Sequence, residues 1–417
     1  METKQSTTVA KPLAGIRVID LTRALAGPYA TLLLAGLGAE VIKIEDPASG
    51  DLARDNSPYL GRDGIVKRKR YDDDVSISHL SRGRGKYGIS LNLKAPGAIE
   101  VFRDLVAISD VVVENFASGT ADRLGVGYAV AKAINPRIVY CSLSGFGAGV
   151  SEGSKAMDVI IQALSGAMFA SGEPDGPPVR FGVPVADMLA PVFSVIGILA
   201  ALQQRERTNV GQHVDVSMLG ALTSFVAIEN WRAMELAGIP ARTGLTVPRL
   251  SPFGVFRCAD GYVAIVAVHD GLFAALCETM QQPLMQDPRF ASRDARVSHA
   301  VELEQLIGEW CGARSVEEVV RQLSDRKIPV APVRSPVEAL SDPQVLARGE
   351  VETLRHPNYA HDLELRTAGI PISFSGAACH VEDRLAVQIG QHNEAIYRGV
   401  LGYSPERLAQ LREMKVI

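Results

Sequence analysis

Short apolar runs alternate with longer apolar-rich segments along the first third of the chain. IRVIDL (16–21) is a compact β-branched run, AGPYATLLLAGLG (26–38) has the length and composition of a buried helix, and AEVIKIE (39–45) follows as a second strand. Strand, helix, strand in that order is a βαβ unit, whose crossover needs parallel strands. A helix over 96–108, a strand DVVVEN (110–115) and a strand RIVYCSLSGFG (137–147) entering a glycine-rich loop continue the pattern. The expectation is an α/β chain with a doubly wound sheet at its centre.

The most apolar stretch comes later. GVPVADMLAPVFSVIGILAAL (182–202) sets one carboxylate, Asp187, ahead of an uncharged run. That run, 188–202, is about 15 residues long, short of the roughly 20 that span a bilayer, so it reads as a core helix and no membrane is expected. Positions 212–238 read as a helical stretch, after which the composition changes. YVAIVAV (262–268) reads as a strand, and 271–281, 301–312 and 315–325 as amphipathic helices. These suggest a Rossmann-like large domain, 1–242 with 344–417, plus a smaller α/β domain, 243–343. The tail, with GIPISF (369–374) and a helix over 404–413, is expected to return to the large domain.

Composition narrows the class. At 417 residues the chain exceeds the size at which a single core keeps growing. With 47% hydrophobic and 22% charged residues it belongs with globular proteins rather than disordered or fibrous ones. A net charge of −4 gives no electrostatic footprint for nucleic acid, and KRKR (67–70) is answered at once by DDD (72–74). Cys141, Cys258, Cys277, Cys311 and Cys379 lack CxxC spacing, so neither a disulfide framework nor a metal site is expected. METKQSTTVAK at the start lacks the apolar stretch of a secretory signal, and a cytoplasmic location is expected.

GxxxxGK[ST] is absent, and GFGAG (145–149) lacks GxGxxG spacing, so neither a P-loop nor a nicotinamide site is supported. There is also no GxSxG elbow and no HExxH. Asp187 stands out because it sits where VPVA meets a helix. Its structural role is an N-cap, accepting from backbone N–H groups of the first turn. Its functional role uses the same place, since a helix start favours an ionised carboxylate and any oxyanion beside it. Pro191 is tolerated if it lies in the first turn, where N–H groups have no intrahelical partner.

PLAGIRVIDLTRALAGPYATLLLAGLGAEVIKIEDPASGD (12–51), DVVVENFASGTADRLGVGY (110–128), PRIVYCSLSGFG (136–147), the stretch around Asp187 and GQHVDVSMLGAL (211–222) together resemble the successive blocks of the class III CoA-transferases. That family includes formyl-CoA transferase and carnitine CoA-transferase, and its fold also serves α-methylacyl-CoA racemase. The resemblance implies that Asp187 is a nucleophile, forming a mixed anhydride and then an aspartyl-CoA thioester. It implies coenzyme A thioesters as substrates, no tightly bound cofactor, and an interlocked homodimer. It places Asn115, Phe116, Arg123 and Lys155 at CoA contacts, and Arg82, Arg84 and Lys86 of SRGRGKYG in a basic loop suited to phosphates.

The chain also departs from the family pattern. Asp46 stands where some members have a CoA-contacting arginine, and GLTVPRLSPFG (244–254) lacks the glycine run that closes over the site of oxalate enzymes. Leu25 replaces a glutamine of the formyl enzyme, so formate and oxalate are not the expected substrates. The racemases carry a His-Asp pair where this chain has Met157 and Asp158, and methionine cannot shuttle a proton. A binding protein without chemistry would not need Asp187. His79 is placed near the acyl pocket, His213 is expected to stabilise a turn, and Arg54 and Arg249 are candidates to meet a distal carboxylate. The expected reaction moves CoA from succinyl-CoA to a C4 to C6 dicarboxylate, or between two carboxylates of one molecule.

Overall fold

The computed structural model describes residues 10–149 and 155–417, so the polar opening segment largely lies outside the described residues. The chain divides into two compact units. The first contains residues up to Ser165, Val183–Ser224 and Leu340–Ile417; the second contains Gly166–Gly182 and Phe225–Ala339. The short segment 166–182 and the stretch 225–242 therefore fall in the second unit, which sequence reading begins at 243.

Six parallel strands form the centre of the first unit: β1 (Arg17–Asp20), β2 (Glu40–Glu45), β3 (Lys86–Ser90), β4 (Val111–Glu114), β5 (Val139–Ser144) and β6 (His213–Ser217). Their order is β3-β2-β1-β4-β5-β6. The order reverses between β1 and β4, where a doubly wound sheet opens its ligand crevice beyond the strands' carboxyl ends. Helices α1 (Ala26–Gly36), α2 (Ile77–Gly83), α3 (Ala98–Ala107), α4 (Asp158–Leu164) and α5 (Val185–Thr208) belong to the same unit.

Val111, Val112 and Val113 are all buried, which suits a strand covered on both faces. On one face Phe102, Leu105 and Val106 of α3 pack with Tyr397, Leu408 and Leu411 from the tail. On the other, Leu32 and Leu34 of α1 pack with Val195, Ile198 and Ala201 of α5. Each such side chain removes itself from water at about 1.5–3 kcal/mol, so the two layers fix the sheet from both sides.

Two sequence expectations change here. The stretch 212–238 is not helical at its start: HVDVS is the edge strand β6, pairing parallel with β5 from Tyr140 opposite His213 to Ser144 opposite Ser217. Gly211 lets it enter, because a Cβ there would collide with the Ile138 carbonyl. And α5 is a 24-residue helix, long and apolar enough by composition to cross a membrane, rather than a run of about 15. One side of it is buried against the sheet, and Val192, Phe193 and Ile196 are exposed on the other.

The second unit holds a three-stranded antiparallel sheet, Phe253–Arg257, Tyr262–Val266 and Val330–Pro332. Phe273, Ile307, Trp310 and Leu323 from its helices cover that sheet. Residues 244–254 fold back on themselves, with Thr246 bridged to Gly254 and the Val247 N–H donating to the Phe253 carbonyl at 2.8 Å.

Candidate active site

Asp187 lies in the first turn of α5, inside the helix rather than at its cap. The cap position is Pro184, whose ring has no acceptor to offer. The capping oxygen comes instead from Asp158, at the start of α4: its Oδ1 accepts from the Ala186 N–H at 2.8 Å and the Asp187 N–H at 3.4 Å. Its Oδ2 accepts from Gln162 Nε2 at 2.6 Å. Asp158 thus does the work that sequence reading weighs for Asp187, and the Asp187 carboxylate is left without a hydrogen-bond partner among the described residues. Pro191 is seven residues into the helix, not in its first turn, and has no N–H to give the Asp187 carbonyl four positions back.

Burial pushes the Asp187 carboxyl up to about 6, the Asp158 charge adds to the rise, and the Arg82 guanidinium opposes it. A helix start favours a charge there, but desolvation and a like charge outweigh it. A carboxylate that attacks must be ionised, so a nucleophilic role for Asp187 predicts an acid limb of kcat/KM near pH 6. Asp158→Asn removes the like charge while keeping a capping oxygen; a pH–rate profile should show that limb moved toward acid by up to about one unit.

Arg82 ends α2, half-buried. Beneath it lies a set of buried charges that neutralise one another. Lys86 Nζ meets Asp20 Oδ2 at 3.0 Å, Lys43 Nζ meets Asp51 Oδ2 at 2.8 Å, and Arg54 Nη2 meets Glu45 Oε2 at 2.7 Å. Burial alone would raise Asp51, yet the Lys43 ammonium and the Ala53 and Ala24 N–H groups hold it well below the ordinary carboxylate range. His79 is buried, its Nε2 lies 2.9 Å from the Ala386 carbonyl, and burial with the Arg54 charge pushes it down to about 4. It is a neutral core histidine. A cavity of about 20 Å³, room for roughly one water, lies among Lys43, Glu45, Asp51, His79, Arg82 and Lys86.

A second, larger hollow of about 380 Å³ opens where the strand order reverses. Arg23 follows β1, Asp46 and Ser49 follow β2, Leu91–Lys94 follow β3, and Phe116 follows β4; Thr120 and Arg123 close the far side. Arg23 lies over the Phe116 ring at 5.7 Å, and Arg123 Nη2 donates to Thr120 Oγ1 at 2.7 Å. Two or three cations beside a flat ring suit phosphates and a base. Asn115 is a positioning residue: its Oδ1 accepts from the Arg23 N–H at 2.8 Å and its Nδ2 donates to the Arg23 carbonyl at 2.9 Å. Asp46 accepts from Ala48 and Ser49 N–H groups and closes its own turn. Sequence reading missed Arg23, Ser49 and Leu91–Lys94, which lie in the loops after β1, β2 and β3, where the crevice rule applies once the strand order is known.

Other sequence candidates lie elsewhere. Arg84 is buried, ion-paired with Glu352 and donating to the Ala368 carbonyl, and Lys86 is held by Asp20, Pro28 and Thr31. Both serve the core, contrary to the expectation that they meet phosphates. Arg54 donates to Glu45 and to the Val387 and Ala386 carbonyls, and is not free for a substrate carboxylate. Arg249 pairs with Glu229 at 2.7 Å within the second unit. Leu25 precedes α1 half-buried, beside Ala24, whose φ of 66° is the left-handed region. Lys155 is exposed just ahead of α4. His213 stacks on Tyr128 at 5.0 Å and meets Ser142 Oγ at 2.9 Å.

The chain's likenesses agree with this arrangement. The family model for CoA-transferase family III matches residues 13–393. A succinate–glutarate CoA-transferase of Agrobacterium fabrum is 36% identical over 81% of this chain and 84% of its own length. A succinyl-CoA:mesaconate CoA-transferase of Haloarcula marismortui is 37% identical over 87% of this chain and 90% of its own. An acetyl-CoA:oxalate CoA-transferase of Acetobacter aceti is 39% identical over 82% and 86%. The crystal structure of a CAIB/BAIF family protein from Brucella suis superimposes with a TM-score of 0.81 at 32% identity, covering 94% of this chain and all of that one. With a switch-point crevice, a lone carboxylate at a helix start and a match spanning most of its length, the chain belongs to CoA-transferase family III, enzymes that pass CoA between acyl-CoA thioesters and acids.

Proposed function

We propose that this enzyme moves CoA from succinyl-CoA to a short dicarboxylic acid through a covalent sequence on Asp187, in the cytoplasm. The observation that carries the reading is the Asp187 carboxylate itself, relieved of capping duty by Asp158 and left unbonded at the head of α5. An oxygen of Asp187 attacks the thioester carbonyl; the C–S bond breaks, CoA leaves as thiolate and a mixed anhydride forms. The thiolate attacks the Asp187 carbonyl of that anhydride, releasing succinate and leaving an aspartyl-CoA thioester. The acceptor carboxylate then attacks this thioester, breaking its C–S bond to free CoA thiolate and form a second mixed anhydride; the thiolate attacks the acceptor's carbonyl there, and Asp187 leaves as a carboxylate. Every intermediate keeps the carbonyl activated, so no ATP is consumed.

A carboxyl raised to about 6 gives a more basic, more nucleophilic carboxylate than an ordinary aspartate and is still mostly ionised at neutral pH. The hollow beyond β1, β2, β3 and β4 is suited to the nucleotide end of CoA, with Arg23, Lys94 and Arg123 toward its phosphates and Phe116 toward its base. Relatives named for succinate, glutarate and mesaconate support a dicarboxylate. The exposed apolar side of α5, at Val192, Phe193 and Ile196, supports a second copy of the chain as partner. The proton-shuttle reading of the racemases finds no support: Met157 is exposed and Asp158 is engaged in capping.

Trapping tests the chemistry. Enzyme mixed with succinyl-CoA and treated with hydroxylamine or borohydride should carry one modification, at Asp187, by peptide mass spectrometry. An unmodified Asp187, or an adduct on another side chain, overturns the covalent route.

A further inference from the structure

Arg82 is the one charged residue around the small cavity that meets no partner among the described residues. Lys43, Glu45, Asp51 and Lys86 are paired with one another or with Arg54 and Asp20, and His79 is bonded to the Ala386 carbonyl. Arg82 has neither an ion pair nor a hydrogen bond; its Nε is buried without an acceptor, and its Nη groups remain open. The carboxylates whose charge reaches it are Asp51, already held by Lys43, and Asp187. A half-buried guanidinium with an orphaned donor is costly unless an anion arrives to complete it.

We infer that Arg82 receives the second carboxylate of a dicarboxylic substrate while Asp187 exchanges the first. This rests on the CoA-transfer reading above and sharpens it. The same acid then spans two fixed points, a nucleophile at the head of α5 and a planar fork at the end of α2, and the fork suits a carboxylate bidentately. It also replaces the two arginines that sequence reading favoured: Arg54 is engaged by Glu45, and Arg249 by Glu229.

The readout is a ratio: kcat/KM for glutarate as acceptor divided by kcat/KM for its monomethyl ester, which keeps one carboxylate. In the unaltered enzyme this ratio is expected at about 10 to 100, the worth of a charge-assisted pair. Arg82→Gln should bring it close to 1, chiefly through KM for the diacid, with KM for succinyl-CoA scaled no more than two- to threefold. Arg82→Lys, which keeps the charge and loses the fork, should give an intermediate ratio, and it carries the test if the Gln variant does not fold. Three results overturn the assignment: an unaltered enzyme that takes diacid and half-ester equally, an Arg82→Gln enzyme that keeps the ratio, or a loss confined to KM for every CoA thioester, which would make Arg82 a phosphate contact. All three leave CoA transfer standing. Should no acid accept CoA and no adduct form on Asp187, the proposed function itself fails.

Discussion

Asp187→Asn should abolish thioester exchange, by at least about 10⁴-fold in kcat, and at the same time make the protein more resistant to unfolding at neutral pH. The first effect follows from removing the nucleophile of the proposed covalent route, for which no neighbour substitutes. Asp158 is occupied by the Ala186 and Asp187 N–H groups, and Asp51 by Lys43. The second follows from linkage. Folding raises this carboxyl from 3.8 to about 6, so the folded chain binds its proton more tightly than the unfolded chain does. Stability contributed by that proton is present at low pH and lost as the pH rises from about 4 through about 6. At pH 7 the ionised group therefore costs stability, about 1–2 kcal/mol once its partial exposure is discounted. The amide carries no such charge. Denaturant melts of the two proteins at pH 7 and pH 5 check both signs: the variant's advantage should shrink in acid. A variant that is inactive and also less stable at pH 7 would mean the carboxylate is a structural element of α5.

Asp20→Ala should destabilise the first unit by about 3–5 kcal/mol, enough to unfold much of the protein at physiological temperature. Asp20 is fully buried and is the acceptor on which two ammonium groups converge, Lys86 at 3.0 Å and Lys43 at 3.9 Å. It also accepts from the Thr22 N–H at 2.9 Å and the Thr31 hydroxyl at 2.6 Å. Alanine leaves Lys86 without a carboxylate in a dry interior and Lys43 with Asp51 alone. Burial would raise the Asp20 carboxyl, but Lys43, Lys86 and the threonine hydroxyls prevail and hold it below the ordinary range. Its contribution is accordingly complete above about pH 4 and lost as the pH falls below that. Urea melts at pH 7 should show the loss directly, and Asp20→Asn, which retains acceptors without charge, should fall between the two. An alanine variant melting like the unaltered protein would show the network to be energetically neutral.

Much of the first unit is legible in the sequence because β1, β2 and β4 carry compact β-branched runs and α1 is mostly apolar, whereas β3, KYGIS, reads as part of a basic loop. Strands covered by helices on both faces carry no polar alternation to confuse the reading. The edge strand β6 is the opposite case: HVDVS is short, alternating and partly exposed, and nothing local separates it from the helix that follows. Arg84 and Lys86 look like a solvated basic loop because the carboxylates that bury them are distant along the chain, Glu352 being 268 residues away and Asp20 being 66. Asp187 is conspicuous as a carboxylate heading an apolar run, but its release from capping depends on Asp158, 29 positions earlier, and no spacing rule joins them. The crevice residues Arg23 and Lys94 are hidden for a similar reason, since the sheet order that brings their loops together is a property of the fold.

The oxygen that caps α5 belongs to another helix, so the turn carrying Asp187 is held by a group outside its own segment of chain. Acidity at Asp187 answers first to its burial and then to the charges at positions 158 and 82, which push it in opposite directions. A neutral side chain at 158 and a neutral side chain at 82 would therefore move the working pH of this carboxylate to opposite sides.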